Sequence, residues 1–247
     1  MQILGIDVGG SNIKAAPVDV DRGCVVGQVR RVPTCRPATP DGVMEQLARL
    51  VQELDWQGDV GIGLPSAIRD GVVLTAANID PSWIGLDAAG EISSRLDLPV
   101  SLINDADAAG LAETRFGAGA GRRGTVLLIT IGTGLGSALF RDGVLVPNTE
   151  LGHLQLEGRD AEQLASDRAR RRDRLDWPDF AARLSRYLQV LERLLFPDLV
   201  IIGGGLSHHW DAFGPLLRLE SEVARAQLQN DAGVVGAALA AREVSDV

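Results

Sequence analysis

Lysine is almost missing from this chain. Among 24 basic residues only Lys14 is a lysine, and the others are arginine. Cysteine is equally scarce, and Cys24 and Cys35 alone make neither a disulfide framework nor a four-ligand metal site. No apolar stretch reaches the roughly 20 residues of a membrane-spanning helix. The opening MQILGIDVGG lacks the basic and cleavage-type segments of a secretory leader, so no signal peptide is expected. Positive charge is in deficit as well. A net charge of −9 and an isoelectric point near 4.8 disfavour general nucleic-acid binding. With 45% hydrophobic residues and a mean hydropathy of +0.09, the 247 residues suit a cytoplasmic globular protein of one large domain or two small ones.

What is present follows an alternating pattern. Residues 2–8, 59–65, 99–103, 124–131 and 198–205 read as buried strands. Residues 39–54, 87–96, 106–116, 177–196 and 232–244 read as helices, with Met44, Leu47, Leu50, Val51 and Leu54 on one face of the first. Strands alternating with helices indicate an α/β architecture. ILGIDVGGSN and LLITIGTGLGS each give a buried strand, a glycine turn and a returning strand, and IIGGGLS adds a third glycine turn. Glycine lets backbone N–H groups approach an anion closely, although a simple hairpin also needs it. No GxxxxGK[ST] is present, and a strand-like run follows GTGLG, which argues against a P-loop and a dinucleotide fingerprint. FGAGAGRRG, residues 116–124, is the candidate hinge.

The chemistry-bearing residues cluster around these turns. Lys14 directly follows DVGGSN, where a compact point charge suits phosphate. Asn104 and Asp105 stand where a strand meets a helix, so Asp105 is either a helix cap or a general base. Glu150 and His153 in ELGH, with Glu162, Asn78 and Asn104, form a set suited to gripping sugar hydroxyls. Metal binding by Glu150 and His153 lacks a third ligand at convincing spacing. RARRRDR, residues 168–174, is either a solvated helix face or an anion-binding patch.

Taken together, DVGGSNIK, INDADAAGLAE, ITIGTGLGSAL, ELGH, AEQLAS and IIGGGLS resemble the ROK family of sugar kinases and repressors. No helix-turn-helix stands at the N-terminus, so the repressor branch is not expected. TAANIDPSW, FPDLVIIGGGLS and AQLQNDAGVVGAALAA are most similar to the branch that uses polyphosphate to phosphorylate glucose. HHWDAF (208–213) and LESEVARA (219–226) depart from that branch and bear on donor preference.

The resemblance implies an actin-like (ribonuclease H-like) duplicated fold, two lobes with a cleft between them that closes on the sugar. The lobes would be residues 1–104 with about 233–247, and residues 105–232. It makes Asp105 the general base and gives Asn78, Asn104, Glu150, His153 and Glu162 the glucose. Gly9, Gly10, Ser11, Asn12, Lys14, Gly132, Thr133 and Gly134 would take the donor phosphates, and Asp7 would orient Mg²⁺ directly or through water. Arg122, Arg123, Arg141 and the 168–174 run are candidate walls of a polyphosphate groove. ATP is a second possible donor, a structural zinc is not expected, and a homodimer is. The alternatives are an ATP-dependent hexokinase for glucose or mannose and a non-catalytic sugar sensor on the same fold.

Overall fold

The computed structural model describes residues 1–77 and 79–245, so Asn78 lies outside the described residues. The chain forms two compact units. The first comprises Met1–Ala112 and Asp231–Val247, the second Glu113–Asn230.

In the first unit, β1 (Gln2–Val8) turns through GGSN into antiparallel β2 (Asn12–Asp19), flanked by the short strands β3 (Cys24–Val25) and β4 (Arg30–Pro33). Helix α1 (Pro40–Glu53) follows, and its first turn is set by Thr39, whose hydroxyl accepts from the Gly42 N–H, and by Pro40. Then come β5 (Val60–Leu64), the small hairpin β6 (Ile68–Arg69) and β7 (Val72–Val73), α2 (Ala88–Leu96), β8 (Val100–Asn104) and α3 (Asp105–Phe116). The sheet order is β3-β2-β1-β5-β8, and β1, β5 and β8 run parallel.

The second unit repeats this plan. Strands β9 (Thr125–Ile131), β10 (Leu135–Arg141) and β11 (Val144–Val146) form the antiparallel part. A hairpin of β12 (Gln155–Leu156) and β13 (Arg159–Asp160) leads to the helices α4 (Glu162–Ala165), α5 (Asp167–Arg172) and α6 (Trp177–Leu195). Strand β14 (Leu199–Gly203), helix α7 (Trp210–Phe213) and strand β15 (Glu222–Arg225) complete it. The order β11-β10-β9-β14-β15 matches the first sheet position for position, with β9, β14 and β15 parallel. The sequence reading missed β15 because EVAR, pairing on one side only, has no apolar run.

The last helix, α8 (Ala232–Ser245), returns to the first unit. Val234, Val235, Ala237 and Ala238 on it are fully buried. Its backbone comes so close that a Cβ on Gly5 would overlap the Val234 carbonyl, and one on Gly61 the Ala237 carbonyl. Gly236 of the same helix lies equally tight against the Ala108 carbonyl of α3. The apolar face of α6, with Phe180, Leu184, Tyr187, Leu188 and Leu191, is likewise spent inside its own unit.

The first passage between units falls within α3, between Ala112 and Glu113, upstream of the glycine stretch 116–124 read as the hinge. Glu113 is fully buried, and its carboxylate accepts from the N–H groups of Ala118 (2.9 Å), Gln227 (3.0 Å) and Leu228 (2.7 Å). One side chain therefore fastens the start of the second unit to the segment that leaves it.

Replacing Gly61 with alanine should cost about 3 kcal/mol, because backbone rather than a flexible side chain blocks the new methyl. Urea denaturation read against wild type checks this, and a cost below about 1 kcal/mol would show that α8 can move away from the sheet.

Candidate active site

In the first unit, the parallel register aligns the carboxyl ends of β1, β5 and β8: Asp7 pairs with Gly63, and Leu64 with Asn104. Asp7, the GGSN turn and Asn104–Asp105 thus share one sheet edge, about 10 Å apart across the intervening strand. Open parallel sheets bind ligands at this end.

Asn104 is buried, and its amide is largely used. Its Oδ1 accepts from the N–H groups of Ala106 (2.9 Å) and Asp107 (3.0 Å), and its Nδ2 donates to the Ser66 carbonyl (3.1 Å). The amide thus caps α3, a role worth about 1 kcal/mol. The same Ala106 N–H also lies 2.8 Å from Asp105 Oδ1. Asp105 is half-buried.

Asp7 and Lys14 face each other across the β1–β2 pair, with Lys14 Nζ 3.0 Å from Asp7 Oδ2. A Cβ on Gly233, in the first turn of α8, would lie 2.8 Å from the Asp7 carboxyl carbon, so the carboxylate rests on a helix N-terminus. The GGSN turn is fixed from β2's side by the Gly9 N–H to Asn12 carbonyl bond of 3.0 Å. Thr34, just past β4, holds it from the other: its hydroxyl donates to the Gly9 carbonyl (2.6 Å) and its N–H to that of Ser11 (3.1 Å). Gly10 and Ser11 are exposed.

The second unit holds the remaining set. Gly132 and Gly134 close the GTG turn by a 3.0 Å backbone bond, and the Gly132 carbonyl accepts from Asp167 at the start of α5. Thr133 is exposed at its tip. The Glu162 carboxylate lies directly against Gly134, where any side chain would displace it. The ELGH segment is pinned to β10: buried Ser137 donates to the Thr149 carbonyl (2.5 Å) and accepts from the Leu151 N–H (3.0 Å). Gly152 packs on the Leu135 carbonyl, which is why that position carries no side chain.

Glu150, His153 and Glu162 form a charged group. His153 Nε2 lies 3.9 Å from Glu150 Oε2, and its Nδ1 lies 3.0 Å from Asp160 Oδ2. Burial raises the Glu150 carboxyl above its ordinary value; His153 opposes that rise and Glu162 adds to it. The His153 imidazole is also raised, first by its hydrogen bond to Asp160 and then by Glu162 and Glu150. Among the described residues no cluster of three or more histidine, cysteine, aspartate or glutamate side chains could hold a metal ion.

Much of the arginine run answers to its own acids. Asp167 pairs with Arg170 (2.9 Å) and Arg171 (2.7 Å), and Asp173 with Arg172 (2.7 Å) and Arg183 (2.5 Å). Arg170 also lies 4.5 Å above the Trp177 ring. Arg122 pairs with Glu222, and Arg141 lies 3.3 Å from Asp142. Arg168 and Arg123 are exposed.

Sequence reading passed over Thr34, Ser137, Asp160 and Gly233. Ser137 and Gly233 lie inside ITIGTGLGSAL and AQLQNDAGVVGAALAA, but each of the four reaches the site through pairing or chain return, which a motif does not show. Asp160 left its own trace, as the acid closing the turn-like QLEGRD seven residues after His153.

Residues 3–169 match the ROK family model. The chain belongs to the ROK family. It is 46% identical over 238 residues to a polyphosphate glucokinase of Mycobacterium tuberculosis, a match covering 96% of this chain and 90% of that one. An inorganic polyphosphate/ATP-glucomannokinase from Arthrobacter sp. strain KM superposes with a TM-score of 0.95 at 48% identity, over 98% and 99% of the two chains. A ROK family glucokinase from Streptomyces griseus, solved with glucose and AMPPNP, gives 0.85 at 28% identity, over 98% and 100%. The duplicated sheets are those of the actin-like fold that ROK sugar kinases share.

The raised Glu150 carboxyl has a consequence for stability. The folded protein holds that proton more tightly than the unfolded chain, so stability falls as pH rises from the ordinary value of 4.5 into the raised range. Glu150→Gln should therefore raise the melting temperature by about 2 °C at neutral pH, and the gain should vanish in acid. Differential scanning calorimetry at two pH values tests it.

Proposed function

We propose that this protein is a glucokinase that transfers the terminal phosphoryl group of inorganic polyphosphate to the 6-hydroxyl of glucose. The observation that carries the reading is the edge at Asn104–Asp105. There the amide caps the helix with two bonds, and the Asp105 carboxylate, which shares the Ala106 N–H through Oδ1, stands beside it at the carboxyl end of a parallel strand. The likeness to a polyphosphate glucokinase across 96% of the chain supports the donor.

The step exchanges one bond for another. The 6-hydroxyl oxygen attacks the terminal phosphorus, the bond to the next phosphate of the donor breaks, and the hydroxyl proton passes to Asp105. A positioned base contributes ~10²–10⁴-fold, and the remainder comes from alignment and charge stabilisation. Asn104, Glu150, His153 and Glu162 hold sugar hydroxyls, with Asn78 assigned from sequence alone. Backbone N–H groups of Gly10, Ser11 and Asn12, and of Thr133 and Gly134, face the donor phosphates, whereas those of Gly9 and Gly132, expected from sequence to join them, are spent inside their own turns on the Asn12 and Gly134 carbonyls. Lys14 supplies positive charge beside the first turn while balancing Asp7.

Asp7 fits a Mg²⁺ that arrives with the donor, because Mg²⁺ commonly binds through one carboxylate plus substrate phosphates and keeps its waters. When bound, the ion neutralises charge on the transferring phosphate.

A second donor and a second sugar belong to this reading, because the name of the Arthrobacter enzyme carries ATP and mannose beside polyphosphate and glucose. Mannose and glucose differ at one hydroxyl, which a cluster of carboxylates and imidazole can satisfy in either configuration.

Asp105→Asn should lower kcat by at least ~10²-fold with KM for glucose little changed. Retention of more than about a tenth of wild-type kcat would remove Asp105 from the base role. In a separate assay, glucose-6-phosphate formation at matched phosphoryl concentrations should be faster with polyphosphate than with ATP. Saturable turnover with ATP alone would return the protein to the ATP-dependent hexokinases.

A further inference from the structure

We propose that Asp160 is a positioning residue, whose carboxylate holds the His153 imidazole by Nδ1, fixes its tautomer and presents Nε2 to the sugar. The proposal rests on the reading of His153 as a sugar ligand, and its test separates the two.

The argument begins with the hairpin that follows ELGH. Strands β12 and β13 are joined by Glu157 and Gly158, both at positive φ (54° and 77°), the two-residue turn that matches strand twist. The pairing sets Gln155 opposite Asp160. The Ala161 N–H closes the base of the hairpin on the Leu154 carbonyl at 2.9 Å. Of its four strand residues only Leu156 packs against the core, and only partly buried, so the hairpin's apolar contribution is small. Its main polar product is one oriented carboxylate. Oδ1 of Asp160 accepts from the Gln155 amide, and Oδ2 lies 3.0 Å from His153 Nδ1.

An ionised carboxylate only accepts, so Nδ1 must carry a proton. The tautomer is thereby decided, and Nε2 is the atom left for a ligand. Nε2 lies on the Glu150 side, 3.9 Å from Oε2, too long for a direct hydrogen bond. A sugar hydroxyl can donate to one of these atoms while meeting the other. The charged groups around the imidazole are Glu150, Asp160 and Glu162, all acidic. They favour the imidazolium, in which Nε2 donates. In the neutral ring Nε2 accepts, and the hydroxyl reverses its own role. Without Asp160 the ring can place its proton on either nitrogen and rotate away.

The test uses histidine nitrogen NMR together with steady-state kinetics. Only His153, His208 and His209 contribute signals, and the spectrum of His153→Gln identifies the first. In the wild-type protein, Nδ1 of His153 should stay protonated through the titration while Nε2 changes state, at a pH above the ordinary imidazole value of 6.5. Asp160→Asn should bring that titration down toward 6.5 and mix the tautomers. It should raise KM for glucose about tenfold, with kcat within about threefold of wild type. A wild-type His153 found with Nδ1 deprotonated overturns the proposal without any variant. So does an Asp160→Asn protein with unchanged KM and unchanged titration, or one whose only change is a lower melting temperature. If His153→Gln itself leaves glucose binding by calorimetry intact, the sugar-ligand reading of His153 fails instead.

Discussion

The close approach of α8 to the first sheet is the contact on which the site in that unit depends. Two strand glycines, Gly5 and Gly61, let the helix backbone lie where side chains would otherwise stand. This brings the N-terminal turn of α8, with Gly233, onto the carboxylate of Asp7. A helix N-terminus favours negative charge, and Lys14 adds a second positive partner at 3.0 Å. The aspartate is held between these two partners beside the GGSN turn. Packing and chemistry are one arrangement here: the first turn of α8 completes an environment begun by β1.

The second unit follows the opposite electrostatic logic. Glu150, Glu162 and Asp160 surround one imidazole, and burial already works against the Glu150 charge. Such a group is poor for stability and good for holding a neutral molecule rich in hydroxyls, each of which can donate to one acid and accept from a neighbour. The acids also balance a protein whose basic residues are nearly all arginine. Where those arginines crowd, on α5, Asp167 and Asp173 absorb much of the charge.

Much of this was legible in the sequence. The strands at 2–8 and 124–131 stand out by apolar runs that stop at glycine, and α1 and α6 by their 3.6-residue stripe. What stayed hidden was of two kinds. Edge elements such as β15 and the β12–β13 hairpin carry polar residues and leave no hydrophobic period. Positioning residues such as Thr34, Ser137 and Asp160 act across long or irregular separations. Asn104 shows a third limit. Its place at a strand end was clear, but the sequence could not say that its amide, more than the adjacent carboxylate, would satisfy the first turn of α3.

Glu113 ties the segment entering the second unit to the one about to leave it at Gln227 and Leu228. A body whose two ends are held side by side is topologically an insertion. It can be lengthened, exchanged or re-ended within itself without re-threading the unit that hosts it. The host keeps its strands, its final helix and its aspartates through any such change. A duplicated plan of this kind lets one copy change its loops while the other keeps its own.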